Sequence, residues 1–346
     1  MTAARPLIDT PLPIVAAPMA GGPMGVPLAL AVAEAGAFPV LAGGYTAAAA
    51  LAGDLRALRA SGRAFGVNLF VPDPDAASLD REGFAAYARE LAPEAARYGI
   101  ELQAEPVLDD DGWGEKLALL LAEPVPLVSL TFGLPAPEDV ARLQAVGTRV
   151  LASVTSPEEA IAAREAGVDG LVVQGPAAGG HRASLDPRRA PEPGSTPELV
   201  RRIRAAVDLP LVAGGGVDGP DAVAAILEAG AEAVAVGTLL LLAEEAGTSP
   251  THRAALEDPA FTETVVTRAF TGRPARALRN RFAEEHGGTA PHAYPAVHHL
   301  TRALRAAAGA AGDAQTLHLW AGEGWRSARR APAGEILGWL ARALAG

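Results

Sequence analysis

The chain has 346 residues, 49% hydrophobic and 20% charged, which is ample apolar material for one large core. A formal net charge of −11 and only 5% aromatic residues speak against nucleic acid or an anionic membrane surface as a partner. There is no cysteine and a single lysine, Lys116, which rules out disulfides, thiolate catalysis, iron–sulfur and cysteine–zinc centres, most Schiff-base chemistry and a Walker A loop.

The N-terminal stretch MTAARPLIDTPLP carries prolines and an aspartate where a signal peptide needs an apolar run, so a cytoplasmic location is expected. From residue 14 onward short, predominantly apolar runs recur at 14–18, 38–42, 65–71, 127–131, 149–154, 170–174, 210–214 and 233–237. Continuous apolar runs of this length suit parallel strands covered on both faces. Ala-rich helical patterns such as AVAEAG, AAREAG and AILEAG precede several of them, each stopping at a glycine (Gly36, Gly167, Gly230) that can adopt a left-handed conformation. Eight strand-and-helix units of this kind predict an α/β fold, a (β/α)₈ TIM barrel. A doubly wound open sheet is the rival, but its G-x-G-x-x-G turn after the first strand does not fit APMAGGPMG. The apolar stretch 233–243 is too short to span a bilayer.

Between strands three and four, residues 72–126 hold two helical patterns, DREGFAAYARELAPEAARYG and GWGEKLALLLAE, and need no separate domain. The tail after strand eight is too long to be one barrel helix. A helix is expected over TRAFTGRPARALRNRF (267–282), then a Gly/Pro/His-rich loop, another helix, and an amphipathic return near 333–344. The organisation expected is a barrel over 1–250, a smaller, mainly helical substrate-covering segment over 251–314, and a C-terminal return to the barrel over 315–346.

In such barrels the chemistry sits where the strands end. Asn68 interrupts strand three and Gln174 ends strand six, and a carboxamide placed there needs a partner. The loop QGPAAGGHR follows strand six, where Gly179 and Gly180 allow backbone to approach a flat ligand and place His181 at the mouth. Strand seven ends in Gly214, Gly215 and Gly216, and strand eight in Gly237 and Thr238. Glycine-freed amides at these two turns hold a phosphate without lysine. Neighbours on a helix do not face each other, so His298–His299 is no metal pair, and no metal site is expected. The run Asp109–Asp111 reads as a solvated, helix-starting acidic stretch.

Together the segments PIVAAPMAGG, FGVNLFV, LVSLTFGLP, VVQGPAAGGHR, PLVAGGGV, AVAVGT, AYPAVHHLTRALR and LWAGEGWR resemble the nitronate monooxygenase family, formerly called 2-nitropropane dioxygenases. The resemblance runs from residue 13 to residue 326, and the Q-G-x-x-A-G-G-H-R loop is its most specific piece. It implies FMN in a (β/α)₈ barrel. Its cofactor contacts would be Met19, Asn68, Gln174, Gly179, Gly180, Gly214, Gly215, Gly216, Ala235, Val236, Gly237 and Thr238, with His181 as the active-site histidine and Tyr294 lining the substrate pocket. The implied reaction oxidises alkyl nitronates of the propionate 3-nitronate type with dioxygen to a carbonyl compound and nitrite or nitrate. Its partners would be a small anionic substrate and dioxygen, with a homodimer compatible with it. Ala177, Arg302, Glu323 and Trp325 depart from the family's usual residues, and the expectation is that they sit at the pocket rim. The rival functions are an FMN-dependent enoyl-acyl-carrier-protein reductase, which shares the A-G-G-H loop, and a non-catalytic flavin or phosphate-ligand binding protein.

Overall fold

The structure, a computed structural model, describes residues 6–189 and 192–344. The apolar runs form β1 (Ile14–Ala16), β2 (Phe38–Ala42), β3 (Gly66–Phe70), β4 (Leu127–Thr131), β5 (Arg149–Val154) and β6 (Gly170–Gln174). A short strand β7 (Gly180–His181) lies outside this series, which resumes with β8 (Leu211–Gly214) and β9 (Ala233–Val236). The eight strands close in the order β1-β2-β3-β4-β5-β6-β8-β9, every pairing is parallel, and β1 pairs with β9 to shut the barrel.

The two-residue period of a strand explains why both faces are apolar. Leu127, Leu151 and Val212 pack inside the barrel with Phe38 and Val40, and Leu7 and Ile8 join them. Their neighbours Val128, Val150 and Leu211 point the other way, into the larger core shared with the surrounding helices. Each such side chain contributes about 1.5–3 kcal/mol by leaving water.

The covering helices are α1 (Val26–Glu34), α2 (Ala48–Ala60), α4 (Trp113–Ala122), α5 (Pro137–Ala145), α6 (Pro157–Glu165), α7 (Thr196–Ala206) and α8 (Pro220–Glu228), while α3 (Arg81–Ala96), between β3 and α4, packs instead against the segment that follows β9. Gly36, Gly167 and Gly230 sit just past the ends of α1, α6 and α8 with φ of 83°, 83° and 108°, the left-handed stop expected of them. Among the described residues no helix is long and apolar enough to cross a membrane.

After β9 the chain leaves the ring and builds a cap from α9 (Pro250–Glu257), β10 (Thr264–Thr267), β11 (Ala275–Leu278), α10 (Arg281–His286) and α11 (Ala296–Ala310). It returns as α12 (Ala333–Leu340), which packs against α1 and α8 and takes the place of the eighth barrel helix. The helix expected over 267–282 is not there. Thr264–Thr267 and Ala275–Leu278 form an antiparallel pair, and β11 pairs in turn with Gly180–His181 of the loop after β6. That loop offers β11 a strand partner far away in sequence, and such pairing overrides local helix preference. The rest of the cap is helical and rests on α3, whose Phe84, Tyr87 and Leu91 share a core with Phe270, Phe282, Val297 and Leu304.

Glu159, on α6 and buried, ties the loop after β7 to the barrel. Its carboxylate accepts from Thr155 N, from the Thr155 hydroxyl at 2.8 Å and from Leu185 N at 2.9 Å. Removing it strands three donors, and each unsatisfied buried group costs about 1–3 kcal/mol. Glu159→Ala is expected to lower the urea midpoint with an unchanged slope of free energy against urea; an unaltered midpoint would show the tie to be dispensable.

Candidate active site

The C-terminal ends of the barrel strands and the inner surface of the cap enclose a cavity of about 1050 Å³. This exceeds the about 300–1,000 Å³ usual for one drug-sized ligand. Met19, Asn68, Gln174, Gly179, Gly180, His181, Gly214, Gly215, Gly216, Ala235, Val236, Gly237, Thr238 and Tyr294 all line it. The residues singled out in the sequence are thus brought to one chamber.

The glycine turns are tight for steric reasons. A Cβ on Gly214 would lie 2.2 Å from the Ala235 carbonyl oxygen, and Gly215 and Gly216 have φ of 124° and 75°. Among the described residues the amides of Gly215, Gly216, Gly237 and Thr238 have no protein acceptor, so these two adjacent turns present a concave set of free donors. Across from them a Cβ on Gly179 would meet the Gly322 nitrogen at 2.4 Å, and Gly322 N donates to Thr238 Oγ1 at 2.9 Å. Only glycine lets the loop after β6 settle so close to segment 321–324.

The two carboxamides do different work. Asn68 Nδ2 donates to Ser129 O at 3.1 Å, Ser129 Oγ at 3.0 Å and Thr131 Oγ1 at 2.9 Å, so it is anchored across β4. Gln174 uses both ends of its amide on the loop that carries the histidine: Nε2 donates to His181 O at 2.8 Å, and Oε1 accepts from Ala183 N at 2.9 Å.

His181 is therefore held by its backbone, through Gln174 on one side and β11 on the other, while Nε2 lies 2.9 Å from Thr271 Oγ1. Aromatic rings of Phe132, Tyr294 and Trp320 stand 5.6, 5.9 and 5.3 Å from its ring. Burial, reinforced by the positive charges of Arg273 and Arg305, pulls its pKa down from 6.5 to about 3. The imidazole is neutral at physiological pH.

Those two arginines were not legible as site residues. Arg273 is 2% exposed, lies 4.1 Å above the Phe132 ring, and donates to the Arg182 and Ser184 carbonyl oxygens. Arg305 is 6% exposed and lines the cavity. Neither forms an ion pair among the described residues, so the interior keeps a net positive field. One signal was available: on α11 the buried set Val297, His298, Thr301, Leu304, Arg305 and Ala308 recurs at helical spacing, which puts an arginine on the inward face. Tyr45 and Phe132, both with positive φ (62° and 80°), also gave no warning. Tyr45 stacks on His298 with centroids 4.2 Å apart, and the Tyr294 hydroxyl donates to its own at 3.2 Å.

Several expectations need correction. The acidic run does start α4, and Asp109 and Asp110 are exposed, but Asp111 departs from the expectation: it pairs with the buried Lys116 at 2.6 Å and accepts from Tyr45 N, while Asp109 lies 2.9 Å from His299 Nε2. Of the four departures from the family pattern, only Arg302 faces the cavity. Trp325 turns into an apolar cluster with Leu241, Leu242, Leu256 and Leu319, Glu323 pairs outward with Arg276 at 3.1 Å, and Ala177 accepts from Glu323 N at 3.0 Å. One cluster of potential metal ligands, Glu94, Glu285 and His286, occurs among the described residues, far in sequence from the glycine turns, and Arg281 bonds both of its carboxylates.

A family model described as nitronate monooxygenase matches residues 5–342. A nitronate monooxygenase of Pseudomonas aeruginosa is 38% identical, with 98% of each chain covered. A probable nitronate monooxygenase of Staphylococcus aureus is 32% identical over 96% of this chain and 94% of the relative. Among solved structures, one described as nitroalkane oxidase from Streptomyces ansochromogenes superposes with a TM-score of 0.92 at 48% identity, covering 97% of this chain and 96% of that one. FabK from Thermotoga maritima, at 23% identity and a TM-score of 0.75, shares the fold. A family match over nearly the whole length, on a barrel whose strand ends open into one chamber that holds His181, means that this chain belongs to the nitronate monooxygenase family of oxidoreductases.

Proposed function

We propose that the chain binds FMN at the strand ends and oxidises small alkyl nitronates, of the propionate 3-nitronate type, with dioxygen. The observation that carries this reading is a neutral imidazole beside two buried, acid-free arginines, in the same chamber as a cradle of free glycine amides. The cradle suits a phosphate, and the chamber has volume for a flat ring as well as a small second molecule. When bound, the flavin supplies an electron acceptor for an electron-rich carbon and passes the electrons on to dioxygen.

The chain's own residues supply the rest. The amides of Gly215, Gly216, Gly237 and Thr238 would hold the phosphate, Asn68 and Gln174 would border the ring, and Met19 would lie against it. Arg273 and Arg305 favour an anion over its neutral conjugate acid. With a pKa near 3 in the free site, His181 is a feeble base, so its role is to orient an already ionised nitronate by hydrogen bonding. Tyr294 and Trp320 close the chamber around it and exclude water. Atoms balance with one dioxygen per nitronate when nitrate leaves with the carbonyl product, and with one dioxygen per two nitronates when nitrite leaves.

The test is oxygen uptake on adding propionate 3-nitronate to purified protein whose heat-released chromophore elutes as FMN. His181→Asn is expected to lower kcat/KM by about 10²-fold, within the range for a positioned catalytic side chain, at unchanged flavin content. Loss of flavin with normal turnover per flavin would refute that role. Rapid anaerobic bleaching by NADH or NADPH, with no response to nitronate, would favour the reductase reading instead.

Two pH effects follow from the buried histidines. The profile of kcat/KM for a preformed nitronate reports groups of the free enzyme, so it should show no ionisation of His181 between about pH 5 and 9. A limb near 6.5 abolished by His181→Asn would contradict this. His181, His252 and His298 all have folded values pulled below 6.5 by burial, to about 3, 4 and 2. The unfolded chain therefore binds more protons, so the stability these neutral rings contribute is full above pH 6.5 and is lost as pH falls toward the folded values. The melting temperature is expected to fall steadily from pH 6.5 to 4, with proton uptake on unfolding measured in weakly buffered solution. A flat Tm over that window would contradict their burial as neutral groups.

A further inference from the structure

We infer that Thr271 is a positioning residue: its hydroxyl donates to Nε2 of His181 and so fixes the ring in the tautomer that carries its proton on Nδ1, facing the chamber. This rests on the nitronate reading above and deepens it, because a neutral imidazole orients an anion only through an N–H.

The two ring nitrogens have different surroundings. Nε2 lies 2.9 Å from Thr271 Oγ1, and among the described residues no other group hydrogen-bonds the ring. Nδ1 has no protein partner and keeps surface open to the cavity that His181 lines. Phe132, Tyr294 and Trp320 present ring faces and edges, and the charged groups acting on the imidazole, Arg273 and Arg305, are donors only. The Thr271 hydroxyl is thus the one protein group that decides which nitrogen holds the proton.

That hydroxyl has a single proton and two acceptors within reach: Nε2 at 2.9 Å and the Arg273 carbonyl oxygen at 3.3 Å. A good O–H···O bond is about 2.5–3.0 Å long, so the carbonyl lies too far for one, whereas Nε2 is well placed. The Arg273 amide directs its N–H at Oγ1 from 3.5 Å and takes up a lone pair, leaving the hydroxyl proton free to point at the ring. Nε2 must be bare to receive it, and the remaining proton of the neutral imidazole is on Nδ1.

The turn that carries Thr271 is held in place. Thr271 is buried, and its amide and that of Gly272 both donate to Arg268 O, at 3.2 and 2.8 Å. Gly272 has φ of 78°, and a Cβ there would lie 3.0 Å from the Ala293 nitrogen, so the turn is pressed against the segment leading to Tyr294. His181 is fixed from the other side, by Gln174 at its carbonyl and by β11. Hydroxyl and ring therefore meet because two separate parts of the chain bring them together. In water a histidine ring favours the Nε2–H form. Held in that form, His181 would turn a lone pair toward the chamber and repel an anion.

Nitrogen NMR of the holoenzyme, isotope-labelled in its histidine rings, reads the proton directly, because protonated and bare imidazole nitrogens resonate far apart. The His181 signals are identified by their loss in His181→Asn. Expected at neutral pH is a protonated Nδ1 and a bare Nε2 in the parent and in Thr271→Ser, which keeps the hydroxyl, and a shift toward Nε2–H in Thr271→Val, which does not. In parallel, kcat/KM for propionate 3-nitronate should fall about tenfold or more in Thr271→Val, the scale of one hydrogen bond to a charged group, and recover in Thr271→Ser. A parent ring with its proton on Nε2 would overturn the inference, and so would a Thr271→Val ring still protonated on Nδ1. Should Thr271→Val fail to fold, the parent spectrum still decides between the two tautomers. Should the parent oxidise no nitronate, the nitronate reading falls, while the spectra still decide whether Thr271 sets the ring.

Discussion

The two-residue pairing of Gly180 and His181 with Arg276 and Ala275 is the contact on which the rest of the site depends. It joins a barrel loop to a cap strand, and the histidine lies in the seam itself. Gln174 clamps that seam from the barrel side and Arg273 from the cap side, through the carbonyl oxygens of Arg182 and Ser184. The imidazole is thus positioned by main-chain bonds from both halves of the molecule, which is how a site on a loop acquires the precision of one on a regular element.

Around the histidine the nearest charges are positive. Arg182, Arg273 and Arg305 are all buried near the seam, bonded chiefly to carbonyl oxygens and without carboxylates. Carbonyl dipoles satisfy their N–H groups but do not cancel their charge, so burial, reinforced by the charges of Arg273 and Arg305, keeps the nearby imidazoles unprotonated. Using arginine throughout fits this purpose. Its guanidinium stays charged when buried, where an ammonium loses its proton readily.

Much of the barrel was legible in the amino-acid sequence. Residues 38–42, 127–131, 149–154 and 170–174 are strands to the residue, because a strand buried on both faces leaves a mainly apolar run, and for all but the second of these a glycine marks the preceding helix end. Gly179, Gly180 and the turns after β8 and β9 were legible for the same local reason, since backbone that must pass close to something is written as glycine. What failed was non-local. The β10–β11 hairpin reads as helix because its deciding partner is the loop at 180–181, and Ala, Arg and Leu favour helix until that partner is present. Asp111 looks like a solvent-facing acid until Lys116 comes up against it. Buried arginines are hard to tell apart in a chain that uses arginine almost everywhere for positive charge, and only the helical spacing on α11 separates Arg305 from a surface Arg.

The cap interrupts the barrel between its eighth strand and the helix that completes the ring. During synthesis the strands emerge before the cap, and α12, which fills the groove between α1 and α8, is made last of the helices. Until then a strip of Leu and Ala on those helices stays wet, and closing the circle must meet the entropy of a long intervening loop unless the cap has already condensed and brought its ends together. Lid and scaffold therefore belong to one cooperative unit. A lid that could be lost without cost would leave the chamber open to water, whereas here unfolding the lid also releases the last stave of the barrel.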